Sequence, residues 1–165
     1  MNTIDKVKQW FIDRDLKYGG RLDKQSLKLI EEFGELCASY LKKNEQLTKD
    51  SIGDCAVVIV GLALLIKEDV HKIFEGLNPV KEVDVMNCFK GLNLNICAIL
   101  SYLSYSDRRY NGIFRYDLVF AVEYLKSISN ILGYDFEECF ELAYQEIKDR
   151  KGRWINGTFV KEEDL

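Results

Sequence analysis

Proline is nearly missing from this sequence. Pro79 is the one proline in 165 residues, so long helices are permitted almost everywhere. Histidine is as rare. His71 stands alone, which leaves Ser-His-Asp and Cys-His catalysis without positional support. Glu68 and His71 spell E-x-x-H, but a di-iron helical bundle needs a second copy, so His71 reads as a surface or helix-end residue. There is no C-x-x-C pair, and the cysteines number five (Cys37, Cys55, Cys88, Cys97, Cys139). Most sit in apolar, helix-like contexts and read as buried, reduced thiols. No G-K-[ST] follows the glycines of "KYGGRL", so they form no P-loop. A basic surplus is also lacking. The net charge is -4, which argues against a nucleic-acid partner. The one strong basic cluster, "KDRKGR" from Lys148 to Arg153, is too short for a nucleic-acid groove and suits a few phosphates. The longest apolar run, Cys55 to Ile66, falls short of the roughly 18 residues of a membrane span. It reads as a fully buried helix, with no membrane partner. The N-terminal "MNTIDKVKQW" lacks the apolar run of a signal peptide, so the expected location is cytoplasmic.

What is present is a globular composition, 47% hydrophobic and 30% charged, enough for one domain over residues 1–165 with a real core. Helical spacing places Ile4, Val7, Trp10 and Phe11 on one stripe between Thr3 and Asp13. "KYGGRLD" reads as a loop. A second helix runs from Asp23 or Lys24 to about Lys43, with Leu27, Ile30, Phe33 or Gly34, Cys37 and Leu41 as its apolar face. "KNEQLTKD" connects it to a third helix, from Asp50 or Ser51 to about Ile66. "GLNPV" breaks the chain around Pro79. A fourth helix covers about Asn87 to Tyr105, with Leu103 still in register. "SDRRYNG" is a loop, and Tyr116 to Leu132 is a fifth helix. Asp135 caps a sixth, from Phe136 to about Arg150, with Phe136, Phe140, Ala143 and Ile147 on one face. "TFVKEEDL" reads as an extended tail, and nothing reads as a sheet. The expected fold class is all-α, an antiparallel bundle of about six helices. "ELCASYL" before "GDCAVVIV" is echoed by "NICAILSYL" before "YDLVFAVEYL", so residues 67–133 read as an insertion or a degenerate second helical repeat. Tyrosines such as Tyr102, Tyr105 and Tyr110 suit an interface.

One constellation carries chemistry. Gln25, Lys28, Glu32, Glu35 and Ser39 are spaced by 3, 4, 3 and 4 residues, a single polar stripe on the second helix. Glu31 stands on its shoulder. Asp50 and Asp54 are four apart and share a face of the third helix. If the two helices pack antiparallel, Glu32, Glu35, Asp54 and Asp50 meet. Carboxylates at close quarters push one another toward protonation unless a cation intervenes. Mg²⁺ suits such a hard-oxygen set, with Mn²⁺ as a substitute, and no His or thiolate points to zinc or copper. Two ions about 4 Å apart would clamp a phosphate chain. Each acid taken singly reads as solvated helix surface, and Asp50 or Ser51 as a helix cap; the two acidic pairs together are what point to a metal.

"EEFGE" and "DSIGD" resemble the two metal motifs of the MazG-like, all-α nucleoside triphosphate pyrophosphohydrolase superfamily, which includes the dimeric dUTPases. "WFIDRDL" and "EIKDRKGRWINGTFVKEEDL" resemble its phage-type members. The likeness covers residues 4–66 and 134–165 and is weak between them. It implies that Glu32, Glu35 and Asp54 are metal ligands. The fourth ligand is usually a Glu where this chain has Ser51, and Asp50 is the substitute. Glu31 matches a supporting or base-like residue, so the implied catalytic set is Glu31, Glu32, Glu35 and Asp54. The implied reaction is hydrolysis of an NTP or dNTP between its α and β phosphates, in a homodimer or homotetramer. In a phage-encoded protein the location would be the host cytoplasm. Lys28 and Gln25 on the polar stripe, with Arg14, Lys148, Lys151 and Arg153, are the candidate substrate contacts. Trp10 reads as core, with Asp13 and Arg14 bordering base or phosphates. The alternatives are a dUTPase-like enzyme of narrow substrate, or a catalytically silent nucleotide sensor or partner-binding helical protein.

Overall fold

The computed structural model describes residues 1–75, 84–102 and 111–165. The expectations for Pro79, Leu103, Tyr105 and Tyr110 fall outside these residues.

 The described part comprises eight α-helices, two of them short, and one β-hairpin. The helices are α1 (Thr3–Asp13), α2 (Leu16–Gly19), α3 (Leu22–Leu41), α4 (Glu45–Leu65), α5 (Val70–Glu75), α6 (Val85–Tyr102), α7 (Asn111–Ile131) and α8 (Phe136–Ile147). The strands β1 (Gly152–Ile155) and β2 (Thr158–Lys161) pair antiparallel. The described part is therefore mostly helical, with one small sheet.

Several boundaries differ from the sequence expectation, each for a local reason. "KNEQLTKD" is helical rather than a connection. Asn44 caps α4, its side chain accepting from the Leu47 N–H at 3.2 Å, so Asp50 and Ser51 lie inside the helix and cap nothing. Part of "KYGGRLD" forms α2, and α5 occupies a stretch with no expected element. The C-terminal tail is a hairpin, not a single extended strand. Its turn is Asn156-Gly157, with φ of 51° and 89°, the two positive values a tight two-residue hairpin turn requires. Asp135 does cap α8, accepting from the Glu138 N–H at 3.0 Å, but the helix stops at Ile147.

The middle of α4 is enclosed on all sides. Ile52, Cys55, Ala56, Ile59, Val60, Leu62 and Ala63 are buried, because α3, α7, α8 and α1 all pack against it. Burial without an amphipathic stripe is what an all-round apolar helix requires. The face of α3 turned inward is not the expected one. Leu29 and Leu36 are fully buried beside Gln25, Ser26, Glu32 and Ser39, while Leu27, Ile30 and Leu41 are exposed. The cause is that α3 carries two apolar stripes, and α4 covers the one that includes the polar row. Phe33 and Tyr40 lean instead on Phe89 of α6.

Two contacts fix the outer helices. The Trp10 indole N–H donates to the Ile147 carbonyl at 2.7 Å. Lys6 Nζ pairs with Glu141 at 2.9 Å, and this bond with that from Thr3 holds the Glu141 carboxyl down to about 2. The tightest approach is between α4 and α8. A Cβ at Gly53 would overlap the Cys139 carbonyl oxygen and crowd the Ala143 methyl. Backbone cannot yield as a side chain can. Gly53→Ala is therefore expected to force the helices apart and to cost about 1–3 kcal/mol. Thermal unfolding checks this, with a Tm lowered by roughly 2–4 °C per kcal/mol at this size; an unchanged Tm would contradict it.

Candidate functional site

The Gly53 crossing decides what meets at this end of the molecule. Asp50 and Asp54 flank Gly53 on α4; α8 brings Glu146 against them, and the segment just after α8 brings Arg150. Helix α3 adds Glu32 and Glu35. Glu32 is buried, only 7% exposed. Asp54 is raised to about 8, first by burial and then by the charges of Glu32, Asp50 and Glu146, with Arg150 opposing. Asp50 is raised to about 6 by burial, by Glu146, Glu32 and Glu35, and by a hydrogen bond with Glu146. Burial also raises Glu32, against the pull of Lys28. The structure thus brings Glu32, Glu35, Asp50 and Asp54 to one region, and adds Glu146.

Lys28 lies across the α3 acids. Its Nζ is 2.8 Å from Glu32 and 2.9 Å from Glu31. Burial works against the ammonium, but these two bonds outweigh it and hold Lys28 above the ordinary lysine value. As the side chains stand, no three acidic, histidine or cysteine groups among the described residues are gathered closely enough to hold one ion. The donor chemistry nevertheless suits a hard divalent cation: every donor is a carboxylate, and a cation would relieve the repulsion that raises Asp50 and Asp54.

Beside the acids is a cavity of about 300 Å³. Glu31, Glu32 and Asp54 form part of its wall, Trp10, Phe11, Trp154 and Phe159 another part, and Lys24, Lys28, Arg150 and Lys161 also line it. Gln25 borders it and is 6% exposed. Trp10 is at once core and cavity wall. Arg14 stacks over Trp10 at 4.3 Å. Its guanidinium donates to the carbonyls of Arg150, Lys148 and Trp10, so it braces the end of α8. Lys148 bonds Gln145, Lys151 is exposed in a separate polar cleft with Glu146 and Arg150, and Arg153 is exposed on β1. None of these three lines the cavity.

Sequence reasoning passed over Glu146, Arg150, Trp154, Phe159, Lys24 and Lys161. A signal for two of them existed. Glu146 and Arg150 continue, at spacings of 3 and 4, the stripe of Cys139 and Ala143 that packs on Gly53. The "WINGTF" turn was the signal for the hairpin that carries Trp154 and Phe159.

The chain matches no protein-family model, and no solved structure matches it. A stretch of 60 residues is 50% identical to a protein of Haemophilus phage HP1 (strain HP1c1), described as an uncharacterized 18.2 kDa protein in the rep-hol intergenic region. The match covers 36% of this chain and 37% of that protein's length. Among the described residues, no helix is long and apolar enough to cross a membrane.

The raised carboxyls make a pH prediction. Between about pH 4 and 8 the folded protein holds protons on Asp54 and Asp50 that the unfolded chain has released. Stability therefore falls as pH rises through this window. For the metal-free protein, Tm is expected to drop by more than about 3 °C from pH 4.5 to 8, and Asp54→Asn is expected to flatten the slope. A slope identical in wild type and variant would contradict the assignment.

Proposed function

We propose that this protein is a Mg²⁺-dependent nucleotide pyrophosphohydrolase with a bundle of the all-α NTP pyrophosphatase type. One observation carries the reading: the carboxylates of α3, α4 and α8 face one another beside a cavity lined by aromatic rings and cations. Glu32, Glu35, Asp50 and Asp54 would hold Mg²⁺, or Mn²⁺ in its place, with Glu146 beside them. The bound ion supplies phosphate-oxygen binding and an activated water. Glu31 stands next to this set and is free to act as a supporting base once Lys28 turns away from it. Lys28, Arg150, Lys24 and Lys161 neutralise the polyphosphate. Gln25 offers a carboxamide to the substrate from the cavity wall. Water adds to phosphorus, the P–O link between α and β phosphates breaks, and a nucleoside monophosphate and pyrophosphate leave.

Exposed Leu27, Ile30 and Leu41 on α3 favour assembly into a homodimer or homotetramer through that face. A cytoplasmic location, in the host if the protein is phage-encoded, fits this substrate. A dUTPase-like preference is the narrower form of the same chemistry. The ion pairs of Lys28 with Glu31 and Glu32 favour the rival, a silent nucleotide-binding protein in which lysine takes the cation's place.

The test is pyrophosphate release from a panel of NTPs and dNTPs with Mg²⁺. Removing an ion ligand forfeits several kcal/mol of transition-state stabilisation, and each 1.36 kcal/mol is tenfold. Glu35→Ala and Asp54→Asn are thus expected to lower kcat/KM by about 100-fold or more. No turnover with any nucleotide, alongside tight binding in calorimetry, would favour the silent protein.

A further inference from the structure

We infer that the C-terminal hairpin is a nucleobase clamp, with Trp154 and Phe159 supplying the ring surface that stacks on the base. This rests on the nucleotide reading above and deepens it, because it assigns the part of the substrate that the carboxylates do not touch. Three observations converge. The cavity joins the rings of the hairpin to Glu32 and Asp54 in one space. Its volume of about 300 Å³ is at the lower end for small-molecule sites, suited to a base and its sugar with the phosphates directed to the acids. Gln25 borders the same space, nine-tenths buried, and its side chain makes no hydrogen bond to any described residue. Its amide oxygen and nitrogen are not among the sealed, unpartnered polar atoms, so they open onto the cavity and offer both a donor and an acceptor to a base edge.

The rings are held so that they present apolar surface. The Trp154 indole N–H donates to the Arg14 carbonyl, and that of Trp10 to Ile147. Neither N–H is left for a ligand. Phe159 lies between them, its centroid 5.4 Å from each ring at steep angles. The hairpin is also built to sit close. A Cβ at Gly19 would overlap Trp154, and one at Gly157 would overlap the Arg21 side chain. The Arg21 N–H donates to the Gly157 carbonyl at 3.3 Å. The paired glycines of "KYGGRL" thus serve the hairpin, not a phosphate.

Stacking on an aromatic side chain is worth about 1–3 kcal/mol per base, roughly 5- to 150-fold in affinity. The experiment titrates the full-length protein with nucleoside monophosphates, read by tryptophan fluorescence and calorimetry, and with inorganic tripolyphosphate as the base-free probe. The expected result is saturable binding of the monophosphates, weakened about 10-fold or more by Trp154→Leu and largely restored in Trp154→Phe, with tripolyphosphate binding unchanged. Phe159→Leu is expected to act in the same direction, which keeps the test open if one variant fails to fold by circular dichroism. Equal monophosphate binding in wild type and folded variants, equal weakening of tripolyphosphate, or no monophosphate binding by wild type would overturn the clamp. Pyrophosphate release with KM unmoved by Trp154→Leu would sink the clamp and leave the hydrolase. Trp154-dependent binding without any pyrophosphate release would do the reverse.

Discussion

The contact between α4 and α8 at Gly53 governs the rest. Two helices can come this close only where one lacks a Cβ, and here the missing Cβ makes room for a backbone carbonyl and a methyl group. The same residue separates Asp50 from Asp54 in sequence. Closing the helices therefore presses both acids against α8, and the first polar group they meet there is another carboxylate, Glu146. Packing that favours the core imposes repulsion at its edge. The fold meets that repulsion partly with protons, partly with Arg150 and partly with Lys28.

That balance gives the site its chemical character. Half-buried acids held far above their ordinary range, as Asp50 and Asp54 are, carry an unmet demand for positive charge. Lys28 answers it for Glu32 at 2.8 Å, yet it is attached to the same helix and reaches only the α3 side. On the α4 side Arg150 opposes the charge on Asp54, while Asp50 has the carboxyl of Glu146 beside it. The proposed divalent cation with a polyphosphate would meet the demand on both sides, and the adjoining cavity has rings that would take the organic part of such a ligand. The hairpin that brings two of those rings is anchored at Gly19 and Gly157, so the aromatic wall is as much a product of close backbone approach as the acidic one.

The legible features were those set by local spacing. The stripes of α1 and α8, the cap at Asp135 and the all-round apolar α4 follow from a period of 3.6 residues and need no partner to be read. The pairing of Glu32 and Glu35 with Asp50 and Asp54 was readable for the same reason, given two helices joined by a short turn. The start of α4 was misread because Asp50 and Ser51 look like caps, while Asn44 has the better geometry six residues earlier. The inward face of α3 was misread because two apolar stripes compete on it, and spacing does not say which one a neighbour will cover.

Sequence by itself determined the helical class, the placing of acids on two helical faces and the absence of the residues that other chemistries need. These depend on residue type and on distances along one helix. Tertiary structure alone decided that Glu146 joins the acids, that Arg14 braces α8 while Arg150 faces Asp54, and that Trp154 and Phe159 wall the cavity. All of those residues except Arg14 lie about a hundred positions from the α3 and α4 acids. No periodicity links them; only the crossing at Gly53 and the fold-back of the hairpin bring them together.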